Sequence, residues 1–154
     1  MKRLLLLMVA AVGLATTGYS QITTFPYVQD FEAFAQCGGS CTSICPLQEN
    51  WVNAATATRD FASDVGGTGS NPTGPQTGGT ATSRYLYTEA STPCNPISSW
   101  HLLSPTIDLT GTNDIQFTFM YHMFGQSIGT AHVDVSDDGG TTWNLDVVPA
   151  WTDN

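Results

Sequence analysis

The run Asp114-Ile115-Gln116-Phe117-Thr118-Phe119-Met120-Tyr121-His122-Met123-Phe124 decides the fold. Ile115, Phe117, Phe119, Tyr121 and Met123 fall on one face of an extended chain. Gln116, Thr118, Met120, His122 and Phe124 fall on the other. The period of two marks a strand, since successive side chains of a strand point to opposite faces. The first face is wholly large and apolar, and the second begins polar and turns apolar. The pattern predicts a core strand buried mainly on one side. Gly125 ends it.

Working outward, the same period continues. Thr130 to Ser136 places Val133 and Val135 inward and His132 and Asp134 outward, and a return strand starts at Trp143 with Leu145 and Val147. Upstream, Arg84-Tyr85-Leu86-Tyr87-Thr88 is a short β-prone run. Trp100 to Pro105 is another, closed by its proline, and Trp51 to Phe61 reads as a strand region. Gly38 to Pro46 is a cysteine-bearing loop, and Gly66 to Thr82 is a long surface loop within one domain. No window beyond the first twenty residues carries a helical period. Many short strands without covering helices imply an all-β protein, an antiparallel two-sheet sandwich. The chain stops at Trp151-Thr152-Asp153-Asn154 without a closing strand, which suggests a fragment incomplete at its C-terminus.

The N-terminus has its own logic. Lys2 and Arg3 precede an apolar run from Leu4 to Ala15, followed by small and polar residues to Ser20. This is the layout of a secretory signal peptide over residues 1–20, too short to span a bilayer. Cleavage before Gln21 removes Lys2 and Arg3 and takes the formal net charge from -9 to -11. Only Arg59 and Arg84 then remain as cations. Such a surface repels a phosphate backbone and argues against nucleic acid. No later segment is long and apolar enough to be a transmembrane helix. Four cysteines, Cys37, Cys41, Cys45 and Cys94, meet an oxidising compartment after export, and their even number favours disulfides. Three pairings are open.

Ser136-Asp137-Asp138-Gly139-Gly140-Thr141-Thr142-Trp143 matches the Asp-box pattern. Asp and Gly make the turn between two strands, the Asp side chain caps turn N–H groups, and the Trp packs back under the hairpin. Sialidases repeat this box once per blade. Here it occurs once, with no arginine cluster for a carboxylate substrate, and reads as a structural hairpin. His101, His122 and His132 show no paired-ligand spacing. His122 reads as a hydrogen-bonded structural residue, and His132 as exposed. Glu32, Glu89, Asp108 and Asp134 are scattered, with nothing to pair two of them across a cleft as a glycosidase requires. No catalytic residue is assigned, and the chain reads as a binding module rather than an enzyme.

The order of these signals resembles the MAM domain family. The residues are Phe31-Glu32, Trp51, Gly74-Pro75, Tyr85-Leu86-Tyr87-Thr88-Glu89-Ala90-Ser91 and Leu103-Ser104-Pro105. They continue through Phe119-Met120-Tyr121-His122-Met123-Phe124-Gly125, Gly129-Thr130 and Trp143. The resemblance covers residues 25–154, and the Cys37–Cys45 loop with Pro46-Leu47 resembles versions in large bacterial secreted proteins. It implies a jelly-roll, concanavalin A-like sandwich and a non-catalytic role in adhesion, self-association or substrate targeting. Some members bind a cation, usually Ca²⁺, through an early Glu, and Glu32 matches that position. Gly78 stands where the family pattern has an Asp, and the family's C-terminal acidic segment does not occur. The expected protein is secreted, extracellular or at the cell surface, with an extracellular protein or glycan ligand or a second copy as partner. The alternative is the targeting domain of a larger exported hydrolase.

Overall fold

A computed structural model describes residues 21–38, 41, 44–70, 73–75, 83–94, 99–125 and 128–152. The segment expected to be a signal peptide, residues 1–20, and most of the Gly66 to Thr82 loop lie outside the described residues. The described chain is all-β and antiparallel in its ladders, with no helix. Its strands are β1 (Val52–Asn53), β2 (Ala62–Val65), β3 (Arg84–Tyr87), β4 (Leu102–Leu103), β5 (Thr130–Ala131) and β6 (Trp151–Thr152).

The ladders pair β1 with β4, β2 with β3 and β5 with β6. The register of the longest sets Ala62 opposite Tyr87 and Val65 opposite Arg84. Tyr85 and Tyr87, two residues apart on one face of β3, bring their rings to 6.0 Å. Isolated bridges extend the network: Ile22 with Ile107, Cys37 with Ser63, Arg59 with Trp100, and Val135 with Asn144. The strand region expected over Trp51 to Phe61 divides. Only Val52–Asn53 is strand, a turn follows, and the second strand starts at Ala62. The side chain of Asn53 holds the divide together. Its amide donates to Cys45 O at 3.0 Å and Phe61 O at 3.1 Å, and its carbonyl accepts the Phe61 N–H at 2.8 Å. Three backbone groups that leave the ladder at the turn are thus satisfied by one side chain.

The core is small. Phe34 (2% exposed), Cys45, Ala62, Ser63, Tyr85 and Cys94 are its buried members. The Phe34 ring meets Phe31 edge-on at 5.2 Å, and Phe31 meets Trp51 in the same way at 5.5 Å. Phe31 adopts a left-handed backbone, φ 61°. The Gln29 Oε1 acceptor holds its N–H at 2.7 Å. Burying the side chain of Phe34 contributes about 2–3 kcal/mol, so its cost on truncation is a large share of a marginal stability.

Two disulfides close the core, Cys37–Cys45 and Cys41–Cys94, with sequence separations of 8 and 53. They settle which of the three open pairings is used. The main chain follows the covalent link: Cys37 N–H donates to Ser63 O at 3.0 Å, and Ser63 N–H donates to Cys37 Sγ at 3.2 Å.

Two expectations are corrected. Asp114–Phe124 is not a buried core strand. It runs without a ladder partner among the described residues, and Phe117 is 67% and Met120 87% exposed. Alternation specifies which side chains share a face; it does not supply the layer that covers them. Trp151 packs there, 5.6 Å from the rings of both Phe119 and Tyr121. That residue is the second correction. Trp151–Thr152 was expected to lie outside any strand, and it is β6, with Ala131 opposite Trp151.

Two glycines are dictated by space. A Cβ at Gly74 would stand 2.5 Å from the Thr68 backbone nitrogen. At Gly125 (φ 142°) it would meet the Thr73 methyl at 3.2 Å. Thr73 O also meets His122 Nε2 at 3.2 Å. The Gly74-Pro75 stretch and the run ending at Gly125, far apart in sequence, therefore touch.

Loss of the longer cross-link should destabilise more than loss of the shorter one. Chain-entropy arguments give about 4 kcal/mol for Cys41→Ser with Cys94→Ser, against about 2.5 kcal/mol for Cys37→Ser with Cys45→Ser. Urea unfolding of the two double variants checks the order. Asn53→Leu should cost about 2–4 kcal/mol, because it strands three backbone groups.

Candidate binding surface

The Asp-box hairpin is built around one carboxylate. Asp138 Oδ1 accepts the N–H of Thr141 at 2.9 Å and of Thr142 at 2.8 Å, and the Ser136 hydroxyl at 2.8 Å. Asp138 Oδ2 accepts the Thr142 hydroxyl at 2.6 Å. Ser136 Oγ in turn accepts the Gly140 N–H at 2.8 Å. Gly139 (φ 72°) and Gly140 (φ 87°) supply the left-handed turn, and the Trp143 ring lies over Gly140. The Thr142 hydroxyl and N–H, with Ser136 and the Thr141 N–H behind them, pull the Asp138 carboxyl down to about 2. The motif is a fastened turn, as its sequence indicates. All of the carboxylate's recorded partners are its own loop.

Below the turn, Val135 and Asn144 exchange two backbone hydrogen bonds, and Val147 N–H donates to Val133 O at 3.0 Å. His132 sits on the outer face, as expected. Its Nδ1 pairs with Asp146 Oδ1 at 2.6 Å and its Nε2 with Thr130 Oγ1 at 2.8 Å. Asp134 Oδ1 accepts the Asp146 N–H at 2.8 Å. The sequence reading missed Thr130 and Asp146. Thr130 was within reach of it, because residues 130, 132 and 134 share one strand face. Asp146 depends on the hairpin register and was not. The three-residue line Thr130–His132–Asp146 has the contacts of a nucleophile, base and orienting acid. It lies on an open surface, with the His and Asp side chains 45% and 51% exposed. That exposure removes the desolvated, donor-lined setting that makes such a line reactive.

The structure keeps the remaining candidates apart. Glu32 is exposed, and its Oε1 accepts the Arg84 N–H at 2.9 Å. Its own N–H donates to Asp30 Oδ1. No group of three His, Cys, Asp or Glu stands close enough to hold a metal among the described residues. Glu89 caps Ser91 N–H at 2.7 Å, and Asp108 accepts Thr110 N–H at 2.9 Å. The Thr110 hydroxyl and N–H hold the Asp108 carboxyl below its usual range. His101 meets the Thr56 hydroxyl at 3.2 Å, and His122 is hydrogen-bonded as expected but exposed. Gly78 lies outside the described residues.

What remains as a surface is the aromatic face of 115–124 flanked by the hairpin. Ile115, Phe117, Phe119 and Tyr121 of that face are exposed, as are Met120 and Phe124 of the opposite one. The described chain is a disulfide-stapled, all-β domain of the sandwich class, with its apolar side chains presented on an open face. The family model for "MAM domain, meprin/A5/mu" matches residues 30–152. The chain belongs to that family. It is 31% identical over 136 residues to the mouse MAM domain-containing glycosylphosphatidylinositol anchor protein 2, covering 81% of this chain and 14% of that protein. The human protein of the same name is 30% identical over 128 residues, covering 76% and 13%. The chain thus spans about one seventh of the length of these relatives. No solved structure matches it. Family membership and two disulfides fit an extracellular setting.

Asp138 gives a pH signature. Its folded value lies below its ordinary 3.8, so the open hairpin binds more protons than the closed one at acid pH. The stabilisation is complete above pH 3.8 and is lost as pH falls through about 2. The amide resonances of Thr141 and Thr142 should titrate with a midpoint near about 2. Asp138→Asn should abolish the step, and a midpoint at 3.8 would contradict the hydrogen bonding described.

Proposed function

We propose that this chain is a non-catalytic binding and adhesion module of a secreted or cell-surface protein, engaging an extracellular protein or glycan. The observation that carries the reading is the exposed aromatic face of 115–124. Large apolar patches on a folded surface mark interaction sites. From Ile115 to Ala131 the sequence holds no Asp, Glu, Lys or Arg. Two copies of an acidic chain can therefore approach at this face without repulsion, whereas elsewhere like charge holds them apart. Self-association through it is one mode of the binding. The carboxylates support a non-catalytic role: Glu89, Asp108, Asp134 and Asp138 each accept a backbone N–H.

The length of the relatives favours a multidomain context, in which the module either mediates adhesion or directs an exported hydrolase to its substrate. The Cys37–Cys45 loop followed by Pro46-Leu47 supports a bacterial exported protein, and the Lys2 to Ser20 pattern supports export by a cleaved signal. Glu32 is the position proposed for Ca²⁺, and calorimetric titration of the chain and of Glu32→Gln with CaCl₂ tests it.

Beads coated with the full chain should cluster, and sedimentation should show reversible self-association. Ile115→Ser with Phe117→Ser should reduce clustering severalfold while changing stability by only about 0.5 kcal/mol, because both side chains stand in solvent. Unchanged clustering would remove this face from the proposal. A monomer at every concentration that also ignores extracellular matrix extracts would refute the module reading.

A further inference from the structure

The N-terminal segment borders an open cleft. Ile22 is fixed to the chain after Pro105: its N–H donates to Thr106 O at 2.8 Å and its carbonyl accepts the Asp108 N–H at 2.9 Å. Ile22, Tyr27, Val28, Glu49, Asn50 and Pro105 line a space of about 400 Å³. That volume is within the range of small-ligand sites, about 300–1,000 Å³.

The polar groups of the lining are held in place. Gln29 Nε2 donates to Glu49 Oε2 at 2.6 Å and to the Tyr27 hydroxyl oxygen at 3.3 Å. Trp51 Nε1–H donates to the same Tyr27 oxygen at 3.3 Å. Both acceptor sites of that oxygen are taken, so its own O–H is left to donate. Glu49 keeps Oε1 as an acceptor, and the Asn50 amide offers one group of each kind. Gln29 is itself fixed through the Phe31 N–H, and Trp51 through its ring contact with Phe31. The lining is thus tied back to the buried Phe34 by an unbroken chain of contacts. Glu49 (φ 53°) and Asn50 (φ 63°) both hold left-handed backbone, a conformation unfavourable for Glu that is retained at the cleft edge.

We infer that this cleft binds a neutral saccharide. A sugar presents vicinal hydroxyls, each both donor and acceptor, beside an apolar C–H face. The cleft sets a donor (Tyr27 O–H), an acceptor (Glu49 Oε1) and a mixed amide (Asn50) beside the apolar wall of Ile22, Val28 and Pro105. Glu49 and the net charge of -9 exclude sialylated or sulfated sugars. One aromatic ring in the lining is too few for an ammonium cage. The inference deepens the binding-module reading and rests on it.

The test titrates the full chain with cellohexaose, mannohexaose and chitohexaose, with sialyllactose and tetramethylammonium chloride as comparisons. The Trp51 indole N–H resonance is the reporter, since it belongs to the hydrogen-bond network. At least one neutral sugar should shift it saturably at millimolar concentration. Tyr27→Phe should weaken binding about fivefold and Glu49→Gln on the order of tenfold, each with the fold retained by circular dichroism. Val28→Trp should block the cleft without touching the network, because Val28 is 79% exposed. No shift with any neutral sugar, a shift only with sialyllactose or tetramethylammonium, or binding indifferent to all three variants would each overturn the inference. Bead clustering measured in parallel separates the outcomes: clustering without sugar binding removes this inference alone, and loss of both removes the module reading.

Discussion

The contact between the Cys37 backbone and Ser63 is the constraint on which the described fold depends. It brings the cysteine loop against β2, and the buried residues gather around it. Phe34 lies just before it in sequence, Cys45 closes the loop, and Ala62 and Tyr85 belong to the adjoining ladder. A core this small supplies little apolar burial, so covalent cross-links carry a share of the stability that a larger domain draws from packing. Asn53 adds the polar counterpart. By satisfying Cys45 and Phe61 it joins the staple to the start of β2 and lets the chain turn between two strands at no cost in unpaired backbone.

The two candidate surfaces differ in how they are organised. The hairpin and the cleft are pinned by short side-chain hydrogen bonds to backbone or to neighbouring side chains. Among the described residues, the aromatic face is held by its own rings and by Trp151. Preorganised polar groups suit a small ligand, whose few contacts must each be well placed. A broad apolar face suits a large partner, which gains from area and tolerates adjustment. One domain can therefore offer two modes of recognition without either using the other's residues.

Local chemistry made some of this legible. The Asp-box sequence specifies its turn through Asp, Gly and Trp, and the structure returns Asp138, Gly140 and Trp143 in those roles while adding Ser136 and Thr142 as partners. Tyr85 and Tyr87 mark β3 because aromatic alternation favours strands. Burial was not legible. The aromatic alternation of 115–124 is intrinsic to the chain, whereas its covering is a matter of other segments, and Trp151 was unassigned because two residues of strand have no period to read. The cleft was equally hidden. Tyr27, Gln29, Glu49 and Trp51 meet only after the Phe31 turn folds back, and no linear spacing encodes that meeting. Disulfide pairing belongs to the same category, since three of the cysteines are equally spaced.

The pairing is also interlaced: Cys41 lies inside the loop closed by Cys37 and Cys45, yet its partner is Cys94. A ribosome releases the first three thiols well before the fourth. During that interval an oxidant can join Cys41 to either neighbour, and both products are wrong. Correct maturation thus requires that Cys41 wait as a free thiol or be rescued by thiol–disulfide exchange. Where Cys41 does not wait, the folding environment must be able to shuffle disulfides as well as make them.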